Sequence, residues 1–345
     1  MSDYLPFSRH HRPGFLLASL GCVLLISACG GGSTRPQTPV PTPGATPSGA
    51  GLIVFAMAPE GADAAQTDIY SLAPDGSNLR RLTTSAPDSA GNVQPQGSPA
   101  LSPDRRRIVW VSVAFQNGQS ESQLRIMNAD GSGARLLSGD SNTRGATVPT
   151  WSPNGNRIAF SRGNAGIWTL NADGTGARQL TDQGANPSWS RTGRIAFNAA
   201  PGVRAVASQS AARQVKGVLP PTTNSYTDIW TIGADGGALQ QLTQRSQTAA
   251  GLAAINPAWS PDGQTLVFNS VPGSGVPAQL FLVNADGNNR RLLGEVNGTD
   301  AVFSPDGNRI AYSDETGLAT VNLGGTGRVI LGAANGLFVE DTDWR

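Results

Sequence analysis

One hairpin recurs through this sequence and limits what the chain can fold into. In each copy a Ser-Pro-Asp-Gly-like turn joins two short apolar strands. Proline fixes φ at the first central position of such a turn, and glycine accepts the left-handed conformation that closes it. The copies lie at residues 99–110, 149–160, 187–197, 256–270 and 302–312. Five copies of one hairpin predict a repeat protein.

A second hairpin alternates with the first, and its clearest copy occupies residues 166–181. Most of its copies turn on an Asp-Gly pair, which is a strong signal for a hairpin. The aspartates of these pairs are Asp75, Asp130, Asp173, Asp235 and Asp286. Two hairpins make a four-stranded antiparallel unit. The unit recurs every 38 to 50 residues with one longer gap, which predicts an all-β fold, the β-propeller.

The number of blades follows from how the chain begins and ends. We name the four strands of a blade A to D from the axis outwards. Residues 52–57 correspond to a strand B that has no strand A before it, whereas residues 341–345 resemble a strand A, with Trp344 in the repeated aromatic position. Complete blades begin near residues 99, 149, 187, 256 and 301. The sequence therefore predicts a six-bladed propeller over residues 51–345, closed by the C-terminal strand pairing into the first blade.

The first 28 residues have the pattern of a secretory signal. Basic Arg9 and Arg12 precede an apolar stretch over residues 15–27, which is too short to span a bilayer as a helix. The stretch ends in Leu-Ile-Ser-Ala-Cys29, which resembles a bacterial lipobox and predicts lipid attachment at Cys29. The alternative is an ordinary signal with an incidental cysteine. Residues 29–50 are rich in Pro, Gly, Ser and Thr and are expected to form a tether.

Cleavage before Cys29 removes both histidines, and it also changes the charge. Of 25 basic and 24 acidic residues, Arg9, Arg12 and Asp3 are lost, so 23 of each remain. The absence of net charge argues against nucleic-acid binding. The absence of histidine excludes Ser-His-Asp, Cys-His and histidine-metal chemistry. We expect a monomer that is not an enzyme and has no cofactor. Two alternatives stay open: a carboxylate-pair glycan hydrolase or lyase, and a cation on the axis near Asp341 and Asp343.

The alternation of Trp-Ser-Pro-Asp-Gly with Asn-Ala-Asp-Gly resembles the WD-like repeats of the TolB propeller domain, and the resemblance covers residues 51–345. TolB carries a separate α/β domain before its propeller, whereas here a tether and a lipobox precede it. Gly30 follows Cys29, where an aspartate would favour retention at the inner membrane, so the outer membrane is expected. The resemblance implies a TolB-like lipoprotein of the cell envelope that faces the periplasm. It also implies an envelope protein as partner, such as one associated with peptidoglycan.

The other repeated residues are expected to be structural. The aromatic series is interpreted as the core between blades, and it comprises Trp151, Trp189, Trp259, Phe303 and Trp344. The arginines ahead of strand B are expected to cover the neighbouring blade and pair with turn carboxylates, and they are Arg107, Arg157, Arg194 and Arg309. The aspartates of the turns are expected to bond local backbone amides rather than calcium.

A long insertion is the candidate binding site. Residues 200–227 interrupt the fourth blade and carry Arg204, Arg213, Lys216 and Tyr226. They belong to the end of the propeller where connections vary in length, and recognition is commonly located on such loops. The alternative is a surface loop without a partner. The leading hypothesis is thus a protein-interaction scaffold, and the second is a glycan-binding module for peptidoglycan or surface polysaccharide.

Overall fold

The structure is a computed structural model of the chain. It describes residues 51–58, 66–85, 94–116, 119–137, 143–206, 227–244, 253–271, 277–331 and 339–345.

The described strands form six sheets, each with four antiparallel strands. Blade 1 contains β24 (Val339–Trp344), β1 (Ile53–Met57), β2 (Asp68–Leu72) and β3 (Arg80–Arg81). Blade 2 contains β4 (Gln96–Leu101), β5 (Arg107–Gln116), β6 (Gln119–Asn128) and β7 (Arg135–Leu136). Blade 3 contains β8 (Ala146–Trp151), β9 (Arg157–Arg162), β10 (Ile167–Asn171) and β11 (Arg178–Gln179), with a 3-10 turn at Gly163–Ala165.

Blade 4 contains β12 (Ala185–Trp189), β13 (Arg194–Ala199), β14 (Asp228–Gly233) and β15 (Gln240–Gln241). Blade 5 contains β16 (Ala253–Trp259), β17 (Thr265–Val271), β18 (Gln279–Asn284) and β19 (Arg291–Asn297). Blade 6 contains β20 (Thr299–Phe303), β21 (Arg309–Asp314), β22 (Gly317–Asn322) and β23 (Val329–Ile330).

The turn between strands A and B shows why these residues form hairpins. In blade 5 the Ser260 hydroxyl donates to the Asp262 carboxylate at 2.6 Å and accepts from the N–H of Thr265 at 2.9 Å. Gly263 closes the turn at φ +71°, a conformation that costs glycine little. The side chains of the turn thus replace water as partners of its backbone, and the two strands leave in register.

The core lies between neighbouring blades. One apolar cluster joins Val109 and Ile126 of blade 2 to Trp151 and Ile158 of blade 3, and all four side chains are buried. Burial of large apolar side chains contributes about 1.5–3 kcal/mol each, so each blade is stabilised mainly by its neighbours.

The strands A are the innermost of every sheet, and each contacts the strands A of the two neighbouring blades: β24, β4, β8, β12, β16 and β20 follow one another in a closed circle. Strand β24 pairs with β1, and Leu52 and Arg345 exchange backbone hydrogen bonds of 2.7 and 3.1 Å. The predicted six-bladed propeller and its closure by the C-terminal strand are therefore confirmed.

Five of the six outermost strands, β3, β7, β11, β15 and β23, contain two residues each, whereas β19 contains seven. Short outer strands limit the exposed edge at which another chain could pair. The turns A–B and C–D, such as those at Asp262 and Asp286, lie at one end of the propeller, which we call the turn rim. The connections B–C and D–A, including residues 200–227, lie at the other end, which we call the loop rim.

Candidate functional site

A ring of residues with unusual backbone geometry surrounds the axis. Each of the six strands A contains one residue with φ between 45° and 53°. This residue lies three positions before the buried residue that ends the strand. These residues, which we call the axial ring, are Ser98, Val148, Asn186, Asn256, Asp300 and Asp341. In every strand the pairing with strand B shifts register at this place. The bulge leaves the residue outside the regular backbone pairing and changes the direction of its side chain.

Hydrogen bonds join the ring from blade to blade. Asn186 Nδ2 donates to Asn256 Oδ1, and Asn256 Nδ2 donates to Asp300 Oδ1 at 2.9 Å. The Asp341 N–H donates to the Asp300 carboxylate. Ser98 in turn donates both its N–H and its hydroxyl to Asp341 Oδ2, at 3.0 and 2.9 Å. Five blades are connected in this way, and the apolar side chain of Val148 interrupts the sequence in blade 3.

Two carboxyl groups of the axial ring are close enough to influence each other's ionisation. Burial and the charge of Asp341 raise the pKa of Asp300 to about 7, although the bonds from Thr299, Asp341 and Asn256 oppose the shift. Burial also raises the pKa of Asp341, and the two bonds from Ser98 oppose it. Adjacent, partly buried carboxyls disfavour a second negative charge, so the pair keeps a proton to a higher pH than an isolated aspartate does. The pair can therefore donate a hydrogen bond or exchange its proton for a cationic group.

A second carboxylate of β24 adds a further hydrogen bond between blades 1 and 2. Asp343 Oδ2 accepts the N–H of Leu101 at 2.8 Å and Arg345 Nε at 3.4 Å. Both carboxylates that the sequence placed near the axis, Asp341 and Asp343, thus bond to blade 2. Within the described ranges no three His, Cys, Asp or Glu side chains come together as a metal site requires.

The loop rim carries the start of the long insertion, and this start is fixed to blade 3. Thr181 and Ala205 form an antiparallel bridge, and the Asp182 carboxylate accepts the N–H of Arg204 at 2.8 Å. Val203 is buried in the core cluster shared by blades 3 and 4, whereas the Arg204 side chain is exposed. The insertion thus begins as a fixed extension of the sheet that presents Arg204 outward.

The other predicted binding residues, Arg213, Lys216 and Tyr226, lie outside the described residues, as does the predicted lipid attachment site Cys29. In the part of the chain that the structure describes, no helix has the length and apolar character needed to cross a membrane. The aromatic series is buried between blades at all five predicted positions: Trp151, Trp189, Trp259, Phe303 and Trp344. The strand C residues Trp168, Trp230 and Tyr70 also pack against core clusters.

The repeated arginines do cover the next blade, but their partners differ from the prediction. Arg107 lies over the Trp151 ring at 4.7 Å, and Arg157 lies over Trp189 at 5.7 Å. Their guanidinium groups donate to carbonyl and hydroxyl oxygens rather than to the carboxylates of the turns. The turn carboxylates are occupied by their own turns, which explains the difference.

Each of those aspartates accepts hydrogen bonds from the residue two positions ahead. Asp173 accepts the N–H and the hydroxyl of Thr175 at 2.9 and 2.7 Å, and these bonds lower its pKa. Asp75, Asp130, Asp262, Asp286 and Asp306 show the same arrangement and the same direction of pKa shift. Their role in the structure is to hold the turns.

Sequence reasoning missed Asp300. Its strand reads Asp300-Ala-Val-Phe and lacks the Pro-x-Trp that marks the clearest copies. Aligning the strands A on the aromatic residue at their ends would have identified Asp300, because Asp300 and Asp341 both lie three positions before that aromatic residue.

Comparison with known proteins agrees with this fold. No family model matches the chain. The structure resembles TolB from Acinetobacter baumannii with a TM-score of 0.62 at 16% identity, over 85% of this chain and 66% of that one. It also resembles a protein from Agrobacterium tumefaciens assigned to TolB, with a TM-score of 0.56 at 15% identity, over 86% of this chain and 98% of that one.

By sequence, a segment of 90 residues is 36% identical to dipeptidyl-peptidase 5 of Porphyromonas endodontalis. That match spans 25% of this chain and only 13% of the peptidase. The solved structures of TolB thus show the propeller fold that this chain shares with them.

Proposed function

We propose that this chain, a six-bladed propeller with the fold of the TolB propeller domain, is a protein-interaction scaffold of the cell envelope. The proposal includes a lipid anchor at Cys29, a location at the outer membrane facing the periplasm, and an envelope protein as partner. The partner binds at the loop rim, and residues 200–227 provide the main contact.

The fixed base of the insertion is the observation that carries the proposal. The Asp182 N–H donates to the Arg204 carbonyl at 3.1 Å, and the Val206 N–H donates to the Leu180 carbonyl at 2.8 Å. Ordering a loop on binding costs conformational entropy, and a base that is already ordered reduces this cost. The ordered base thus favours recognition over a surface loop without a partner.

The rest of the molecule suits a scaffold. Strands A of all six blades form a closed circle, and large side chains fill the spaces between blades. Loops on a rigid frame keep their relative positions, so several connections of the loop rim can contact one partner together.

Replacing part of the insertion tests the binding site. An exchange that began at Val203 would remove a buried core residue, so the exchange is restricted to residues 207–226, replaced by a short Gly-Ser link. We expect an almost unchanged melting temperature and loss of the partner that wild-type protein retains from detergent-solubilised envelope. Full retention by this variant would contradict the site.

A charge reversal refines the test. Arg204→Glu should weaken retention of the partner, whereas Arg191→Glu should not. Arg191 is an exposed arginine of the same blade, but it lies in an A–B turn on the opposite rim. Equal losses in both variants would indicate a general charge effect instead of recognition.

The anchor has its own test. Acyl chains contribute about 0.8 kcal/mol per buried methylene, so two or more chains hold a protein at a membrane. Cys29→Ser should release the chain from the membrane fraction without changing its melting temperature. Sedimentation of this variant with membranes in high salt would show that another segment anchors it.

A glycan-active protein is the alternative, and the Asp300–Asp341 pair favours it. A carboxyl with a pKa of about 7 keeps its proton in about half of the molecules at neutral pH, and a general acid must start protonated. Incubation with purified peptidoglycan glycan tests this alternative. Product release that Asp300→Asn abolishes would support a glycan-active enzyme, and absence of product would exclude one that acts on this substrate.

A further inference from the structure

On the turn rim, the junction between blades 2 and 3 differs from the junctions that blades 3, 4 and 6 form with the next blade. In three other blades the repeated arginine bonds the hydroxyl of a threonine on strand C of its own blade. These pairs are Arg157–Thr169, Arg194–Thr231 and Arg309–Thr320. In blade 2 this place belongs to Ile126, which pairs with Val109 as Thr169 pairs with Ala159. Isoleucine accepts no hydrogen bond, so Arg107 lacks the partner of its equivalents.

Arg107 is nevertheless held in a defined position. Its guanidinium lies 4.7 Å from the centre of the Trp151 ring, and Trp151 itself is fully buried. Its hydrogen bond in the described part of the chain goes to the Gly155 carbonyl at 3.3 Å. Stacking on tryptophan fixes a guanidinium plane without using its N–H donors. Most donors of Arg107 therefore stay available to a ligand.

The second arginine of this junction shows the same difference. Arg178 in strand D of blade 3 donates to the Asp235 carbonyl of the next blade at 2.8 Å. Arg291 in blade 5 donates to the Leu323 carbonyl of the next blade at 3.1 Å. Arg135 has the equivalent place in blade 2, yet it donates to the carbonyl of its own neighbour Leu136 at 3.3 Å. The bridge that joins blade 3 to blade 4 and blade 5 to blade 6 is thus not formed here.

A cleft of about 360 Å³ occupies the place of the missing bridge, and we call it the anion cleft. Its lining residues are Arg107, Arg135, Gly155, Asn156, Asn171, Ala172 and Asp173. Its volume falls within the range of pockets that hold small ligands. Two guanidinium groups face one carboxylate, and that carboxylate already accepts two bonds from Thr175. The lining thus has an excess of positive charge and of unused donors.

We propose that the anion cleft binds a phosphate group. Guanidinium groups bind tetrahedral oxyanions through paired, charge-assisted hydrogen bonds, and two of them can surround one phosphate. The phosphate comes either from a free phosphate or from the phosphodiester of a lipid headgroup. Phosphate binding itself does not depend on the partner at the loop rim.

Titration calorimetry of the full chain at constant ionic strength tests the proposal. The probes are inorganic phosphate and glycerophosphoglycerol, the deacylated headgroup of a phosphodiester lipid. We expect saturable binding with a Kd in the range of about 1 mM. Arg107→Gln and Arg135→Gln should each weaken it about tenfold, since each removes charged hydrogen bonds. Tighter binding of the phosphodiester would identify the headgroup as the source, and tighter binding of inorganic phosphate would identify the free ion.

Three further variants make the test specific. Ile126→Thr should weaken phosphate binding severalfold, because it returns to Arg107 the hydroxyl partner of its equivalents. Asp173→Asn should strengthen binding, because it removes the one carboxylate of the lining and keeps an oxygen for the turn. Arg178→Gln is the matched control and should leave binding unchanged, since this guanidinium is bound to blade 4. No saturable binding up to about 20 mM phosphate, or equal losses in Arg178→Gln and Arg135→Gln, would overturn the proposal.

Discussion

The turn rim and the axial ring both contain aspartates, but the pKa values of these aspartates are shifted in opposite directions. Asp262 is mostly exposed and accepts bonds from Ser260 and Gln264, so its pKa is lowered and it stays charged. Asp300 lies next to Asp341 and away from bulk water, so its pKa is raised to about 7. The turn uses a carboxylate as an acceptor for local amides, whereas the axis holds a carboxyl that can carry a proton. Position in the propeller, and not residue type, decides which role is played.

Removing Asp341 of the axial pair together with the closing strand should have the largest effect. Deletion of residues 341–345 takes away Asp341, Asp343 and Trp344 and leaves β1 without its inner neighbour. Loss of a buried tryptophan alone costs about 3–5 kcal/mol, a large part of a domain's net stability. We expect a much lower melting temperature or aggregation. Trp344→Phe, which keeps the strand, should lose far less, and an unchanged melting temperature of the deletion would show that the ring does not need β24.

The proton of the axial pair predicts an unusual dependence of stability on pH. The pKa of Asp300 is about 7 in the folded state and 3.8 in the unfolded state. Because the folded state holds this proton more tightly, protonation stabilises it, and the effect is complete below about pH 4. This contribution is lost as the pH rises through 7, and we expect about 2 kcal/mol less stability at pH 8 than at pH 5. Urea unfolding at several pH values measures it.

Asp300→Asn should remove most of that dependence, since the amide keeps an oxygen for Asn256 and has no proton to lose in this range. Asp262→Asn is the matched control and should leave the slope between pH 5 and pH 8 unchanged. If wild-type protein were equally stable at pH 5 and pH 8, the pair would not hold a proton near neutrality.

The smallest effect is expected at a single turn. Asp262→Ala removes the acceptor for the Ser260 hydroxyl and the Gln264 N–H, and loss of such local bonds costs about 1 kcal/mol at neutral pH. The hydrogen bonds lower the pKa of Asp262 from 3.8, so the cost should disappear as the pH falls below 3.8 and the wild-type carboxylate is itself protonated. A cost that persists there would indicate that the turn needs the shape of the side chain and not its charge.

Most of the fold could be predicted from the sequence because each blade repeats the same local signals. Ser-Pro-Asp-Gly and Asp-Gly turns specify the hairpins, and Trp344 identified the strand that closes blade 1. These signals are local in the chain, so one sequence is enough to see them. The length of strand D was harder to predict, since it depends on how far the outer edge of each sheet stays paired.

The axial ring and the anion cleft could not be predicted in this way, because both arise from contacts between blades. The pKa of Asp300 depends on Asp341, which is 41 positions away in the sequence but in the neighbouring blade. The cleft depends on a difference from the repeat, Ile126 in place of threonine, and this becomes meaningful only when the partner of Arg107 is known. The repeats show what the blades share, whereas the cleft comes from a position at which blade 2 departs from the repeat.

The backbone bonds between Leu52 and Arg345 also have a topological consequence. Because the two ends meet on the turn rim, a short peptide could join them and new ends could be opened in any connection of the loop rim. The seam would then move to another blade while every sheet kept its four strands. A set of such circular permutants would measure, blade by blade, how much of the molecule's cooperativity depends on where the chain is interrupted.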